Sequence, residues 1–357
     1  MFSEKGHSYE ASTAWREEHP MRGYIQERYP RLMRNISLIL VYGVILVVLV
    51  LIGFHLEGEE AAEEVPTFGS LEGRFTSDIT LEYDGTIRYY RENEITNYLL
   101  IGIDREISVS ADYQNGGQAD FLLMLSIDRR NRTITPVMID RDTMTAVDTY
   151  GVFGHPAGQR VMQICLAQAY RGIHLNGSQN TSNAVSTLLE GVKVDHYLLM
   201  NLGGIVVLND AMGGIEVTLD DDFTAMDAAM QKGATIRLTG AQAEYFVRGR
   251  TTVSDGTNQS RMRRQRVYIE ALVEELERRL ASNEGFAEEV LETLSTYVES
   301  DASTNVLLND FNMYSDYEWN ALRMLSGEHC IGQDGFAEFW IDEVQAREMI
   351  VDIWFAQ

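Results

Sequence analysis

The sequence predicts an α/β fold, a mixed central β-sheet sandwiched between α-helices and preceded by one transmembrane helix. Three observations carry that prediction. Apolar runs of strand length recur along the chain, segments of helical periodicity alternate with them, and residues 36–54 (ISLILVYGVILVVLVLIGF) contain no charge. Strands and helices in alternation bury both faces of a sheet under helices. With 357 residues, 45% of them apolar and only 5 prolines, the chain is neither disordered nor collagen-like.

The elements follow in order. A helix over residues 36–54 rises about 1.5 Å per residue and spans roughly 28 Å, close to the hydrocarbon thickness of a bilayer. A cleaved signal peptide fits less well, because its apolar core is shorter and lies nearer the N-terminus. Arg22, Arg28, Arg31 and Arg34 precede the run, whereas Glu57, Glu59, Glu60, Glu63, Glu64 and Glu72 follow it. The arginine-rich flank stays in the cytoplasm. The expected organisation is therefore a cytoplasmic tail (1–35), a transmembrane helix (36–56), an acidic extracellular stalk (57–95) and an extracellular domain (96–357). Such a chain is a single-pass protein of the cell membrane, with the lipid bilayer as one partner. Within the stalk, short extended segments are expected at 80–83 and 87–89.

Compact patterning begins at Thr96. Segments 97–104, 119–128 and 133–140 read as strands, the last two forming a hairpin across Arg129-Arg130-Asn131. Helical periodicity marks 161–173 and 183–190. A strand is expected at 196–202, a helix at 205–212 ended by Gly213-Gly214, and a strand at 215–219. Long helices fit 261–280 and 286–297. The C-terminal extension (about 282–357) adds a helix near 306–313, a strand at 336–342 and a closing helix at 344–355.

Charge narrows the function classes. Acidic residues outnumber basic ones 54 to 29, so general nucleic-acid binding, which rests on Lys and Arg neutralising phosphates, is excluded. Two cysteines, Cys165 and Cys330, supply neither a zinc knuckle nor a disulfide framework and are expected as small buried thiols. There is no glycine-rich phosphate loop, GxSxG elbow or HExxH, and the scattered histidines, His329 among them, read as structural or exposed.

Against this background, residues 248–266 (RGRTTVSDGTNQSRMRRQR) carry six arginines and one acid, Asp255. Arg261 and Gln265 lie one helical turn apart on one face. Arginine forks suit phosphate oxygens, and helix N-termini favour anions. A solvated basic helix face is the alternative. A second cluster is acidic: Asp104, Asp120 and Asp142 lie at or near the ends of three expected strands, with Arg141 beside Asp142. Carboxylates so placed can take Mg²⁺ together with phosphate oxygens, or can be ordinary acidic surface. Together the clusters describe a site for a metal-bound phosphate or diphosphate.

The segments NYLLIGID, ADFLLMLSID, MIDRDTM, HYLLMNL, LNDAMGGIEVTL, LTGAQAEYFVRGR and SRMRRQR occur in the order and spacing of the LytR-CpsA-Psr proteins, over roughly residues 96–281. The resemblance implies a mixed sheet between helices with a long apolar pocket for a polyprenyl chain. It also implies a Mg²⁺-dependent phosphotransferase of the cell wall, attaching a glycopolymer such as teichoic acid or capsule to peptidoglycan. Its donor would be a polyprenyl-diphosphate-linked glycopolymer, its acceptor a peptidoglycan sugar hydroxyl, and its product a phosphodiester. By resemblance, Asp104 and Asp120 would hold magnesium, Arg141 would contact the diphosphate from the family's RDT motif, Arg248 and Arg250 match its RxR pair, and Arg261 with Gln265 match its R-x-x-x-Q helix start. Asp142 stands open between a catalytic base and a structural partner of a neighbouring arginine. Three positions depart from the family pattern: Gln118 stands where arginine is common, Asp140 where proline is frequent, and Phe121 where threonine is frequent. A non-catalytic protein binding polyprenyl diphosphate or polysaccharide, or a membrane-anchored regulator, shares most of these features.

Overall fold

A computed structural model describes residues 79–104, 117–249, 253–282, 286–314 and 317–356. The tail, the apolar run at 36–54, most of the expected stalk and Arg250 lie outside the described residues. Among the described residues no helix is long and apolar enough to cross a membrane.

The centre of the molecule is a seven-stranded mixed sheet. Its middle strands are β3 (Ile95–Ile103), β4 (Ala119–Asp128) and β5 (Thr133–Ile139), joined antiparallel in sequence. β8 (His196–Asn201) runs parallel to β3, and β11 (Val298–Ser300) pairs antiparallel beyond it. At the other edge β12 (Glu318–Trp319) and β13 (Arg323–Met324) both lie parallel to β5. Alternate residues of the strands face opposite ways. On β3 and β4, Tyr98, Leu123, Leu125 and Ile127 enter one core, whereas Leu99, Ile101, Leu122 and Met124 enter the other. Burial on both faces is why these strands are written as uninterrupted apolar runs.

The first core is covered by α2 (Leu202–Ala211), α3 (Gly240–Arg248), α4 (Asn258–Ser282), α5 (Phe286–Leu294) and α6 (Thr304–Tyr314), with the hairpin β9 (Ile215–Thr218) and β10 (Thr235–Leu238). The second is covered by α1 (Gly177–Leu188) and α7 (Glu343–Trp354). Two further hairpins complete this side: β6 (Met144–Tyr150) with β7 (Pro156–Gln163), and β14 (Gly327–Ile331) with β15 (Ala337–Ile341).

Several expectations are corrected. The helix at 161–173 is instead the end of β7 followed by a 3-10 turn, Ile164–Ala169. The backbone N–H groups of Ile164 and Cys165 donate to Thr143 and Arg141 carbonyls, which removes them from a helical ladder. The second long helix, expected to 297, stops at Leu294 and finishes as a 3-10 turn. α4 begins three residues before Arg261, because Thr257 Oγ1 accepts the Ser260 N–H and caps it. The described end of the expected stalk belongs to the domain: β1 (Thr80–Tyr83) and β2 (Thr86–Tyr89) form a hairpin, Leu81 is buried in the second core, and Tyr90 bridges to Phe355. Cys165 is buried as expected, Cys330 is exposed, and both are free.

Candidate functional site

β3, β5 and β8 all end at one edge of the sheet, and β4 begins there, so the residues following three strands converge with the first residues of a fourth. Ligand sites in α/β sheets gather beyond such C-terminal strand ends. The β3–β4 register is broken at this edge. Gly102 pairs with Phe121 and Ile103 with Ala119, which leaves Asp120 as an extra residue in a β-bulge. Regular alternation would send Asp120 and Phe121 to opposite faces, yet both line the same cavity. Glycine at 102 makes the close approach possible, since a Cβ there would lie 2.9 Å from that of Phe121.

The mouth is a cavity of about 130 Å³ lined by Asp104, Asp120, Phe121, Arg248, Arg261 and Gln265 among others. Phe121, Gly102, Met200, Leu208, Ile269 and Leu272 also line a second, larger cavity of about 460 Å³. That cavity lies between the sheet and α4, lined by Leu100, Leu123, Leu125 and Leu198, by residues 319–322, and by Arg266 and Glu270 of α4. The two cavities adjoin across these shared residues: the first carries Asp104, Asp120, Arg248 and Arg261, and the second is mostly apolar.

Arg261, 5% exposed, donates from Nη1 to Asp120 Oδ1 (3.2 Å) and from Nη2 to Asn258 Oδ1 (2.6 Å). Gln265, one turn on, donates to the Val247 carbonyl (3.4 Å), and its buried Oε1 accepts no hydrogen bond among the described residues. An acceptor left so costs free energy unless a ligand completes it. Arg248 is half exposed, paired with Glu244 (3.1 Å) and more loosely with Asp104 (3.7 Å).

Arg141 is placed otherwise than expected. It lines neither cavity. Its guanidinium is buried behind Asp120, to which Nη1 donates, while Nη2 donates to Gln118 Oε1 (2.5 Å) and to Cys165 Sγ (3.1 Å). Burial disfavours its charged form, but the Cys165 sulfur and the Asp120 and Asp142 carboxylates outweigh that and hold it above its ordinary pKa. Burial in turn pushes the Cys165 thiol up to about 11, so it serves Arg141 as a neutral acceptor and is no nucleophile at neutral pH. Asp142 is also away from the mouth. At 1% exposure, its Oδ1 meets Arg141 Nε (3.3 Å) and Gln163 Nε2 (3.2 Å), which suits a structural partner better than a base.

Of the other arginines in the 248–266 stretch, Arg264 is structural. It is 1% exposed, pairs with Asp221 (2.9 Å) and donates to the Phe246 (3.1 Å) and Gly249 carbonyls. Arg263 faces Asp220 and Asp221, and Arg266 faces Glu270.

Asp104 and Asp120 present hard oxygens at one opening, the donor type that Mg²⁺ takes. Among the described residues no group of three or more His, Cys, Asp or Glu side chains could cage a metal. Two carboxylates alone would leave most of such an ion's shell to oxygens from outside the chain, and Asp120 Oδ1 already accepts from Arg141 and Arg261. Sequence reasoning missed Asn258 and the partners of Asp140. Gly102 inside a strand pattern was an available signal for the bulge.

Fold and site define an α/β protein with arginines and carboxylates gathered at a cavity beyond the C-terminal ends of its central strands. The chain belongs to the LytR_cpsA_psr family, whose model matches residues 70–349, further at both ends than the segments quoted above. A relative from Bacillus mycoides, named polyisoprenyl-teichoic acid–peptidoglycan teichoic acid transferase TagU, is 28% identical over 182 residues, covering 51% of this chain and 53% of the relative. The chain thus spans about half the length of the curated relatives it matches. Protein gbs0355 from Streptococcus agalactiae shares the fold at a TM-score of 0.58 and 21% identity, covering 73% of this chain and 88% of that one. TagT bound to LI-WTA does so at 0.53 and 18%, covering 73% and 90%.

Proposed function

We propose that the protein is a membrane-anchored extracellular phosphotransferase that moves a glycopolymer from a polyprenyl-diphosphate carrier to peptidoglycan. The observation that carries this reading is the adjacency of a charged cavity to a larger apolar one, which match the two ends of a lipid diphosphate. The transferase name of the Bacillus mycoides relative supports it. So does the arginine asymmetry around residues 36–54, which would hold the opening beside the outer membrane surface.

In this proposal the polyprenyl chain enters past Phe121 into the space under α4, and the diphosphate rests at the opening. Arg261 and Arg248 face its oxygens, with Arg250 following from the RxR pattern, while Arg141 fixes Asp120 from behind. A magnesium ion bound by Asp104 and Asp120 would supply positive charge to the non-bridging oxygens. The acceptor hydroxyl oxygen attacks the phosphorus bearing the glycan. The bond from that phosphorus to the bridging oxygen breaks, polyprenyl phosphate leaves with the bonding pair, and the hydroxyl proton passes to water at the opening. The chain's contribution is positioning and charge, the main part of phosphoryl transfer.

The test supplies the full-length protein with a lipid-linked glycopolymer and peptidoglycan oligosaccharides. Loss of the donor with gain of a phosphodiester-linked product is expected, and in Asp104→Asn and Asp120→Asn the divalent-dependent turnover should collapse while the fold survives. Tight binding of the donor without turnover would instead make this a non-catalytic carrier protein.

A further inference from the structure

Asp140 is a buried carboxylate, 5% exposed, at the end of β5. A charge in such a place persists only when its oxygens are satisfied. Oδ1 accepts from the Asp142 backbone N–H (2.8 Å) and from Asn258 Nδ2 (2.5 Å), and Oδ2 lies 3.3 Å from His329 Nε2. These partners come from three separated pieces of chain: the loop after β5, the first residue of α4, and the hairpin β14–β15.

The arrangement has a direction. An ionised carboxylate only accepts hydrogen bonds, so the Asn258 amide can face Asp140 only with its NH₂. That leaves Asn258 Oδ1 turned to the other side, where it accepts from Arg261 Nη2 (2.6 Å), and Arg261 Nη1 reaches Asp120 (3.2 Å). The hairpin is fastened to the same loop twice more. Phe339 N–H donates to the Asp142 carbonyl (2.8 Å), and Gln163 Nε2 lies between the Ala337 carbonyl (2.5 Å) and Asp142 Oδ1. The His329 ring packs tilted against Phe339, with centroids 4.5 Å apart and planes at 37°.

We infer that Asp140 and His329 are positioning residues for the anion site, and that the hairpin β14–β15 orients Arg261 through Asn258. The inference rests on the diphosphate reading of that site. Docking of the hairpin already has the Phe339 backbone bond, the Gln163 side chain and the buried Phe339 ring. The imidazole–carboxylate–amide series adds something else, a fixed amide orientation that holds a long, otherwise flexible guanidinium at the opening.

Two probes separate the effects: farnesyl diphosphate, which needs the anion site, and farnesol, which needs only the apolar cavity. Binding of both to the full-length protein in detergent micelles is measured alongside melting temperature. Arg261→Ala should weaken farnesyl diphosphate by about tenfold or more and leave farnesol within about twofold. Asp140→Asn, which makes the facing group part donor, and His329→Ala should each weaken farnesyl diphosphate about fivefold, again sparing farnesol. His329→Gln, which keeps an N–H donor, should recover most of the loss, and His329→Ala should add nothing in an Arg261→Ala background. Equal loss of both probes by the Asp140 and His329 variants would reduce these residues to supports of the fold and overturn the inference. Unchanged binding in those variants, with Arg261→Ala still impaired, overturns it while leaving the diphosphate reading intact. An unimpaired Arg261→Ala removes both.

Discussion

The two faces of the central sheet carry the same kind of apolar side chain and are finished in opposite ways. On one face the C-terminal helix α7 fills the space. Trp354 is fully buried among Leu99, Ile101 and Met124, and its Nε1 donates to Asn97 Oδ1 (2.9 Å) and Ser126 Oγ (2.8 Å) in the sheet itself. On the other face Leu100, Leu123, Leu125 and Leu198 look into a cavity of about 460 Å³ beneath α4. Strand patterning alone does not distinguish a filled face from a hollow one. The covering helix does: α7 brings an indole with a satisfied N–H, whereas α4 brings Arg261 and Gln265 to an opening that it leaves unfilled.

If the filled face carries stability and the hollow face carries binding, the two should be separable by mutation. The largest expected effect is on the filled side. Trp354→Ala removes a large buried ring and its two hydrogen bonds, at a cost of about 3–5 kcal/mol. That corresponds to a fall in melting temperature of roughly 10 °C for a domain of this size. Below the new transition, farnesyl diphosphate affinity should stay within about twofold of wild type. A proportionate loss of affinity would show that the faces are coupled through the sheet and break the comparison.

On the hollow side the arginines should differ among themselves. Arg261 is buried with its fork committed, so Arg261→Lys keeps the charge but loses the geometry, and transfer should fall at least about tenfold. Arg248 is half exposed and loosely paired, so Arg248→Lys should cost no more than about threefold. Steady-state transfer rates at saturating donor separate the two, and equal losses would mean diffuse charge in place of a specific grip. Within the cavity, Leu125→Phe adds volume where space exists. It should weaken farnesol binding about fivefold while leaving the melting temperature unchanged or slightly raised, unlike overpacking of a filled core, which destabilises by about 1–3 kcal/mol.

How much of this was legible in the sequence follows from the same contrast. β3, β4, β5 and β8 were readable because burial on both faces writes continuous apolar runs. β6 and β7 were not, since β7 is largely exposed and its hairpin is held by pairing with little burial. The i, i+4 spacing of Arg261 and Gln265 puts them on one helix face, and both line the same cavity. The arginine-rich stretch could not separate Arg261 from Arg264, since the carboxylate that claims Arg264, Asp221, lies 43 residues away. The RDT match assigns Arg141 and the strand end picks out Asp142, whereas their burial depends on Cys165 and Gln163 from a strand and turn whose sequence has helical periodicity. Asp140 stood out as a departure from the family pattern, but its partners Asn258 and His329 are visible only once three distant segments meet.

The smallest effect expected lies at the end of the sheet farthest along β4 from the opening and concerns acid. Asp128 ends β4, and Arg91 donates to its Oδ2 (2.8 Å) while also holding the Ile353 carbonyl at the end of α7 (2.7 Å). Burial pushes the Asp128 carboxyl up, but the Asn131 backbone N–H, the Asn131 side chain and Arg91 outweigh it and hold the group below its ordinary pKa. A carboxyl lowered on folding contributes stability that is complete above its unfolded value, about 3.9, and is lost as pH falls through the folded value. Melting temperature should therefore be insensitive to this group from neutrality down to about pH 5, then decline with acidification. Asp128→Asn should lower the neutral-pH melting temperature modestly and flatten that acid limb. Because the described partners of the Arg91 guanidinium, namely Glu94, Asp128 and the Ile353 carbonyl, line neither cavity, farnesyl diphosphate affinity measured at pH 7 should not move. A neutral-pH change in affinity would place the far end of β4 in communication with Asp120 at its start, and a single strand would then link the stable half of the molecule to the binding half.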